Sequence, residues 1–195
     1  MTAVAVADCH VFSKDRPIDF QGTSYQFEDG SGLLLEIASL VTLENDTDPN
    51  AINVSRDPTG KHGFNGPDKV EVKDGECFGP TSALYLENAV AWFRIGKGNS
   101  VPSKVILNFC DYGGYENFSA DLIVNDQFIG EITDLPVKLP NYERNDVFLR
   151  IAEDVHSGWS AGTIVMEEPK RGVEEFLFGG QNVAISAVCI EYGDE

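Results

Sequence analysis

The chain has 195 residues, 42% of them hydrophobic, enough for one core-bearing globular domain spanning 1–195. Fourteen Lys and Arg stand against 32 Asp and Glu, a formal charge of -18, so the surface repels polyphosphate and argues against nucleic acid or anionic membrane as partners. No apolar run reaches the ~18 residues of a spanning helix, so no membrane insertion is expected.

From the start, short apolar runs alternate with Gly, Asn, Asp and Pro clusters, the pattern of many short strands. Candidate strands are Ala3 to Ala7, Thr23 to Phe27, Leu33 to Ile37, Ala51 to Val54, Lys69 to Val72, Ala83 to Leu86, Val90 to Ile95, Lys104 to Phe109, Ala120 to Val124, Phe128 to Ile132, Val147 to Ile151, Thr163 to Glu167, Glu174 to Phe178 and Val183 to Ile190. The clearest is Lys104 to Phe109, where Val105, Leu107 and Phe109 alternate with Lys104, Ile106 and Asn108 at the period of a pleated strand. Val183 to Ile190 is apolar or small on both faces, as in a strand covered on both sides. Val147 to Val155 and Ala83 to Trp92 carry a weaker, mixed periodicity that a helix would also accommodate.

Turn chemistry agrees with this count. Asn125-Asp126 falls between two apolar runs, where residues tolerant of positive φ make a two-residue hairpin, and Asp29-Gly30 and Asp74-Gly75 repeat the signal. Gly96, Gly98, Gly113, Gly114, Gly179 and Gly180 mark further reversals. Asp57 to Asp68, DPTGKHGFNGPD, holds three glycines and two prolines in twelve residues and reads as a surface loop. So many strands do not fit one flat sheet; the expected fold is an all-β, two-sheet antiparallel β-sandwich of jelly-roll-like type, its first and last strands adjacent.

Several motifs touch on chemistry. Gly158-Trp159-Ser160-Ala161-Gly162 matches G-x-S-x-G, but a strand follows it, no histidine lies downstream of Ser160, and a glycine-rich turn accounts for it better than a nucleophile does. Asp46, Asp48 and Asn50 alternate, with Asp57 at the closing position of a twelve-residue calcium loop. Ala51 stands where that loop needs glycine, and the closing residue is Asp instead of Glu, so a solvated acidic turn is the competing reading. His10, His62 and His156 are scattered, and no zinc-ligand spacing occurs. Cys9, Cys77, Cys110 and Cys189 fit two bridges in any of three connectivities, or four buried thiols.

Cys110 to Phe118, CDYGGYENF, carries the strongest recognition signal. Tyr112 and Tyr115 bracket two glycines, with Asp111, Glu116 and Asn117 supplying polar groups close by. Flat apolar faces beside fixed polar groups suit a neutral polyhydroxylated ligand, and Trp159 is a second candidate aromatic. The alternative is that Phe109, Tyr115 and Phe118 are core residues at a sheet rim and the glycines make a β-bulge.

The closing segment, Val173 to Cys189 with its Gly179-Gly180, resembles the final strands of bacterial β-sandwich modules of cell-surface and exported proteins. The LNFCDYGGYENF stretch is similar to a middle strand and loop of the same modules. The resemblance covers about half the chain and implies a jelly-roll-like sandwich with a binding or adhesive role, and a location outside the cell or on its surface. It departs from that pattern at Ser186, where such modules and calcium-bearing carbohydrate-binding jelly rolls often have an acidic residue in the last strand. The expected function is therefore a non-catalytic binding module for a carbohydrate or other neutral ligand, through Asp111, Tyr112, Tyr115, Glu116, Asn117 and Trp159. A calcium cofactor would be held by Asp46, Asp48, Asn50 and Asp57. The alternatives are a lyase, isomerase or cyclase using rim carboxylates, and a structural, self-assembling protein.

Overall fold

The computed structural model describes residues 8–12, 25–26, 32–42, 52–55, 69–74, 81–95, 101–112, 121–125, 127–131, 141–144, 147–156, 159–168 and 170–192, some of them as backbone only. Among these there is no helix. The strands are β1 (Asp8–Val11), β2 (Tyr25–Gln26), β3 (Leu33–Thr42), β4 (Ile52–Ser55), β5 (Lys69–Asp74), β6 (Ser82–Ile95), β7 (Lys104–Asp111), β8 (Asp121–Val124), β9 (Gln127–Glu131), β10 (Asn141–Arg144), β11 (Val147–His156), β12 (Trp159–Glu167) and β13 (Glu175–Glu191). The chain forms the expected all-β, two-sheet antiparallel sandwich. The two stretches with mixed periodicity are strand, β11 and part of β6, and β10 is a strand that the apolar pattern does not announce.

Hydrogen-bonded pairing runs without a break through all thirteen strands because both layers share β6 and β13. In one layer β5 pairs with residues 82–87 of β6, and β13 leads on through β7, β12 and β11 to β10. In the other, β3 pairs with residues 89–95 of β6, while β8 and then β9 extend from residues 176–179 of β13. The β6–β13 ribbon therefore crosses from layer to layer. The pairing register does not slip along it, from Glu175↔Arg94 to Ile185↔Leu84.

What changes at the crossing is the face. Leu84 and Leu86 enter the main core, then Ala89, Ala91 and Phe93; Phe176 and Phe178 enter it, then Val183 and Ile185. Each strand drops one step of alternation where the ribbon bends, so a period of two fails there and one strand reads as two. Gly179 and Gly180 accordingly lie inside β13 instead of reversing the chain. Gly179 stands opposite Val90, and a Cβ on it would collide with the Ala89 carbonyl oxygen and lie 2.5 Å from the Val90 Cα. Glycine here permits close approach of two backbones. A second irregularity at Ser186, between Ile185 and Ala187, returns Val188 and Ile190 to the core.

The interior is aromatic and aliphatic. Phe93 and Phe176, register partners, stack with centroids 4.7 Å apart, and Phe109 of β7 meets Phe178 at 5.6 Å and 59°. The second contact ties β7 to the half of β13 that lies in the opposite layer. Residues 183–190 are all buried, as expected of a strand covered on both faces.

At one end, Asn125 closes the two-residue turn between Val124 and Gln127 with φ of 47°. Its side chain accepts from the Glu174 and Glu175 amides and donates to the Gly172 carbonyl at 2.8 Å. The buried Glu168 carboxylate accepts from the Lys170 and Arg171 amides and shapes the approach to β13. β1 pairs with β13, so the first and last described strands are adjacent, and a Cys9–Cys189 disulfide joins them. Bridging a separation of 180 residues removes unfolded-chain entropy worth about 5 kcal/mol in the loop-closure account.

On the outer face of the second layer, the Arg94 guanidinium lies 4.4 Å from the Trp92 ring centroid and pairs with Glu36 at 2.6 Å. The Trp92 indole donates to Glu175 at 2.9 Å. The ion pair is part-exposed, so Glu36→Gln is expected to lower stability by about 0.5 kcal/mol, an effect that shrinks in 1 M salt. Urea melts of both proteins at low and high salt measure it.

Candidate ligand-binding site

The sheet that carries β5, β6, β13, β7 and β12 has a second, outward face. Its central row follows from the registers: Glu71, Tyr85, Ala184, Cys110 and Ala161 lie side by side across five strands. Ala83, Cys110 and Ala184 are wholly buried although they point away from the main core. Tyr85 and Tyr112 pack with them. The small side chain of Ala184 lets the two tyrosines, 27 residues apart in sequence, meet over the strand between them. Their rings stack with centroids 5.5 Å apart and 29° between planes, and their hydroxyls hydrogen-bond.

The surroundings are polar. The Lys73 ammonium sits 4.2 Å from the Tyr85 ring centroid, where the ring's negative face attracts it, and pairs with Glu71 at 2.8 Å. Tyr85 is nearly buried, 8% exposed, so the ring open to a ligand is that of half-buried Tyr112. The Tyr112 amide donates to the Asn182 carbonyl at 3.0 Å, and Asn182 and its register partner Glu87 are exposed on the same side of the sheet. An aromatic face, an amide, a carboxylate and a phenol hydroxyl thus gather at one end of β7.

The expected site residues fall as follows. Cys110 and Asp111 belong to strand β7, not to a loop, and Asp111 is 6% exposed, in register between Ser160 and Val183. Trp159 opens β12 opposite His156, and one further step of the β12–β7 register sets its backbone alongside Tyr112. Tyr115, Glu116 and Asn117 lie outside the described residues, as do Asp46, Asp48, Asn50, Asp57, the Asp57 to Asp68 loop and Cys77. Trp159 to Gly162 are strand, which corrects the expected glycine turn and leaves Ser160 within an unbroken ladder between Asp111 and Val155.

Among the described residues no cluster of three or more His, Cys, Asp and Glu is arranged to hold a metal, and no cysteine is free. Cys110 is disulfide-bonded. Sequence reasoning did not single out Tyr85. The only linear signal is its place between Leu84 and Leu86, which turns it outward; its meeting with Tyr112 depends on strand order, which no local pattern encodes. No family model and no curated protein matches the chain.

Proposed function

We propose that the protein is a non-catalytic binding module for a neutral, hydroxyl-rich ligand, a carbohydrate, held at the β7 end of the first sheet by Tyr112, Trp159, Asn182 and Glu87. The observation that carries this reading is the Tyr85–Tyr112 pair. It fixes an aromatic face on a rigid sheet, with an amide and a carboxylate beside it. Sugars are recognised by such a combination, because one face of the ring is apolar C–H and its edge is hydroxyl. The acidic balance suits an uncharged or weakly cationic ligand over an anionic one. Disulfide-bonded Cys9, Cys110 and Cys189 fit an oxidising compartment, in line with the resemblance to exported modules.

Tyr112→Ala is expected to weaken glycan binding about tenfold, some 1.4 kcal/mol, with an unchanged circular dichroism spectrum. Tyr112→Phe keeps the ring and loses only the hydroxyl, and should bind nearly as well. A glycan array measures both variants; wild-type binding by Tyr112→Ala, or no glycan retained by the wild type, removes the proposal. The same array run in calcium and in EDTA tests whether glycan binding needs a calcium ion held by Asp46, Asp48, Asn50 and Asp57; an EDTA-insensitive signal would rule that requirement out.

A further inference from the structure

Two phenols in contact are a reactive pair as well as an aromatic face. Tyr85 stands on β6, Tyr112 follows β7 directly, and β13 runs between these two strands. The ring centroids are 5.5 Å apart and the hydroxyl oxygens 2.5 Å, so the rings converge toward their hydroxyl ends. The carbon that bears each hydroxyl lies midway between its ring centroid and its oxygen. The two such carbons are therefore separated by at most the mean of those distances, about 4 Å, which is carbon–carbon contact. The ortho carbons beside them are the positions at which oxidised phenols couple.

The two rings differ in what reaches them. Tyr85 is nearly buried, and the Lys73 ammonium over its ring disfavours direct loss of an electron there. Tyr112 is half-buried, so an external oxidant meets it first. The bond between the hydroxyls, in which either oxygen can donate, is a path for a hydrogen atom from Tyr85 to an oxidised Tyr112. Among the described residues no cysteine is free, so no thiol there competes for the radical.

We propose that Tyr85 and Tyr112 are a site of oxidative cross-linking, joined by a haem peroxidase and hydrogen peroxide into a dityrosine that staples β6 to the end of β7 across β13. The peroxidase takes one electron and one proton from the Tyr112 hydroxyl. The Tyr112 radical then takes a hydrogen atom from the Tyr85 hydroxyl, which restores Tyr112 as a phenol for a second oxidation. The two phenoxyl radicals couple through one ortho carbon of each ring, and the hydrogen on each of those carbons moves to its own ring's oxygen. One carbon–carbon bond forms, two hydrogen atoms leave the protein, and one peroxide becomes two waters. Contact held by the fold makes this coupling intramolecular, which favours it over coupling between copies. The proposal uses the contact between the rings and is independent of glycan binding at the open face of Tyr112.

The test treats dilute purified protein with a haem peroxidase and limiting hydrogen peroxide. The monomer is expected to acquire the blue fluorescence of dityrosine and to lose the mass of two hydrogens. Reduction and alkylation precede digestion, because Cys110 is disulfide-bonded and would hold its peptide to another by that bond. The tryptic digest should then contain a peptide pair joined through Tyr85 and Tyr112. Tyr85→Phe and Tyr112→Phe each keep a ring and remove a phenol, and each should lower the dityrosine signal of the monomer at least about tenfold. Wild-type fluorescence in Tyr85→Phe, a bond from Tyr112 to any other tyrosine in place of Tyr85, coupling only between copies, or no coupling would each overturn the proposal. Should a variant fail to fold, the peptide map of the wild type decides alone.

Discussion

Gly179→Ala is expected to destabilise the protein by about 3 kcal/mol or more, lowering the thermal midpoint by about 10 °C, because the added methyl meets backbone and not a movable side chain. The methyl would collide with the Ala89 carbonyl oxygen and lie 2.5 Å from the Val90 Cα, and both belong to a strand paired on its far side with β3. β8 flanks Gly179 on the other edge, at Asp121, so β13 cannot shift sideways to relieve the clash. Both strands must separate where the ribbon passes between layers, and the ladder loosens in both sheets at once. Urea denaturation checks this. A loss below about 1 kcal/mol would show that the corner is compliant.

Asn125→Ala is expected to cost about 3 kcal/mol, from two separable causes. The side chain makes three hydrogen bonds, to the Gly172 carbonyl and the Glu174 and Glu175 amides, in a site 7% exposed. Truncation leaves three part-buried backbone groups without their protein partner. The backbone is also left-handed, with φ of 47°, where alanine is disfavoured by about 1 kcal/mol. Asn125→Gly removes the second cause and keeps the first, so it should recover about 1 kcal/mol of the loss. Asn125→Asp retains the acceptor for both amides and loses only the donor to Gly172. A series of melts in the order Asn, Asp, Gly, Ala from most to least stable is the expected result; Gly equal to Asn would mean that the turn dihedral alone matters.

The layered β architecture was legible wherever one face of a strand is buried and the other is not. Lys104 to Phe109 shows this best, with Val105, Leu107 and Phe109 in the core and Lys104, Ile106 and Asn108 half-exposed. The Asn125-Asp126 turn was legible because its chemistry is local. The continuity of β6 and β13 was not. At Asn88 and at Gly179 to Gln181 the chain changes face within a strand, and a periodicity argument has no means of telling a phase slip from a loop. The candidate site divides in the same way. Tyr112 and Trp159 were visible as aromatics beside glycine, whereas Tyr85, Asn182 and Glu87 join them only because β6, β13 and β7 are neighbours. The Cys9–Cys189 pairing depends on that same non-local order, and four cysteines alone left three connectivities open.

The central position of β13 also bears on biosynthesis. Residues 175–191 are translated after every strand that they join, since β1, β6, β7 and β8 all precede them. A nascent chain that has not yet passed residue 175 leaves each of those four with a bare edge, the kind of surface that recruits chaperones or sticks to neighbouring polypeptides. The two layers therefore close only once this segment is available, and a chain terminated upstream of it is expected to aggregate instead of forming a smaller folded body.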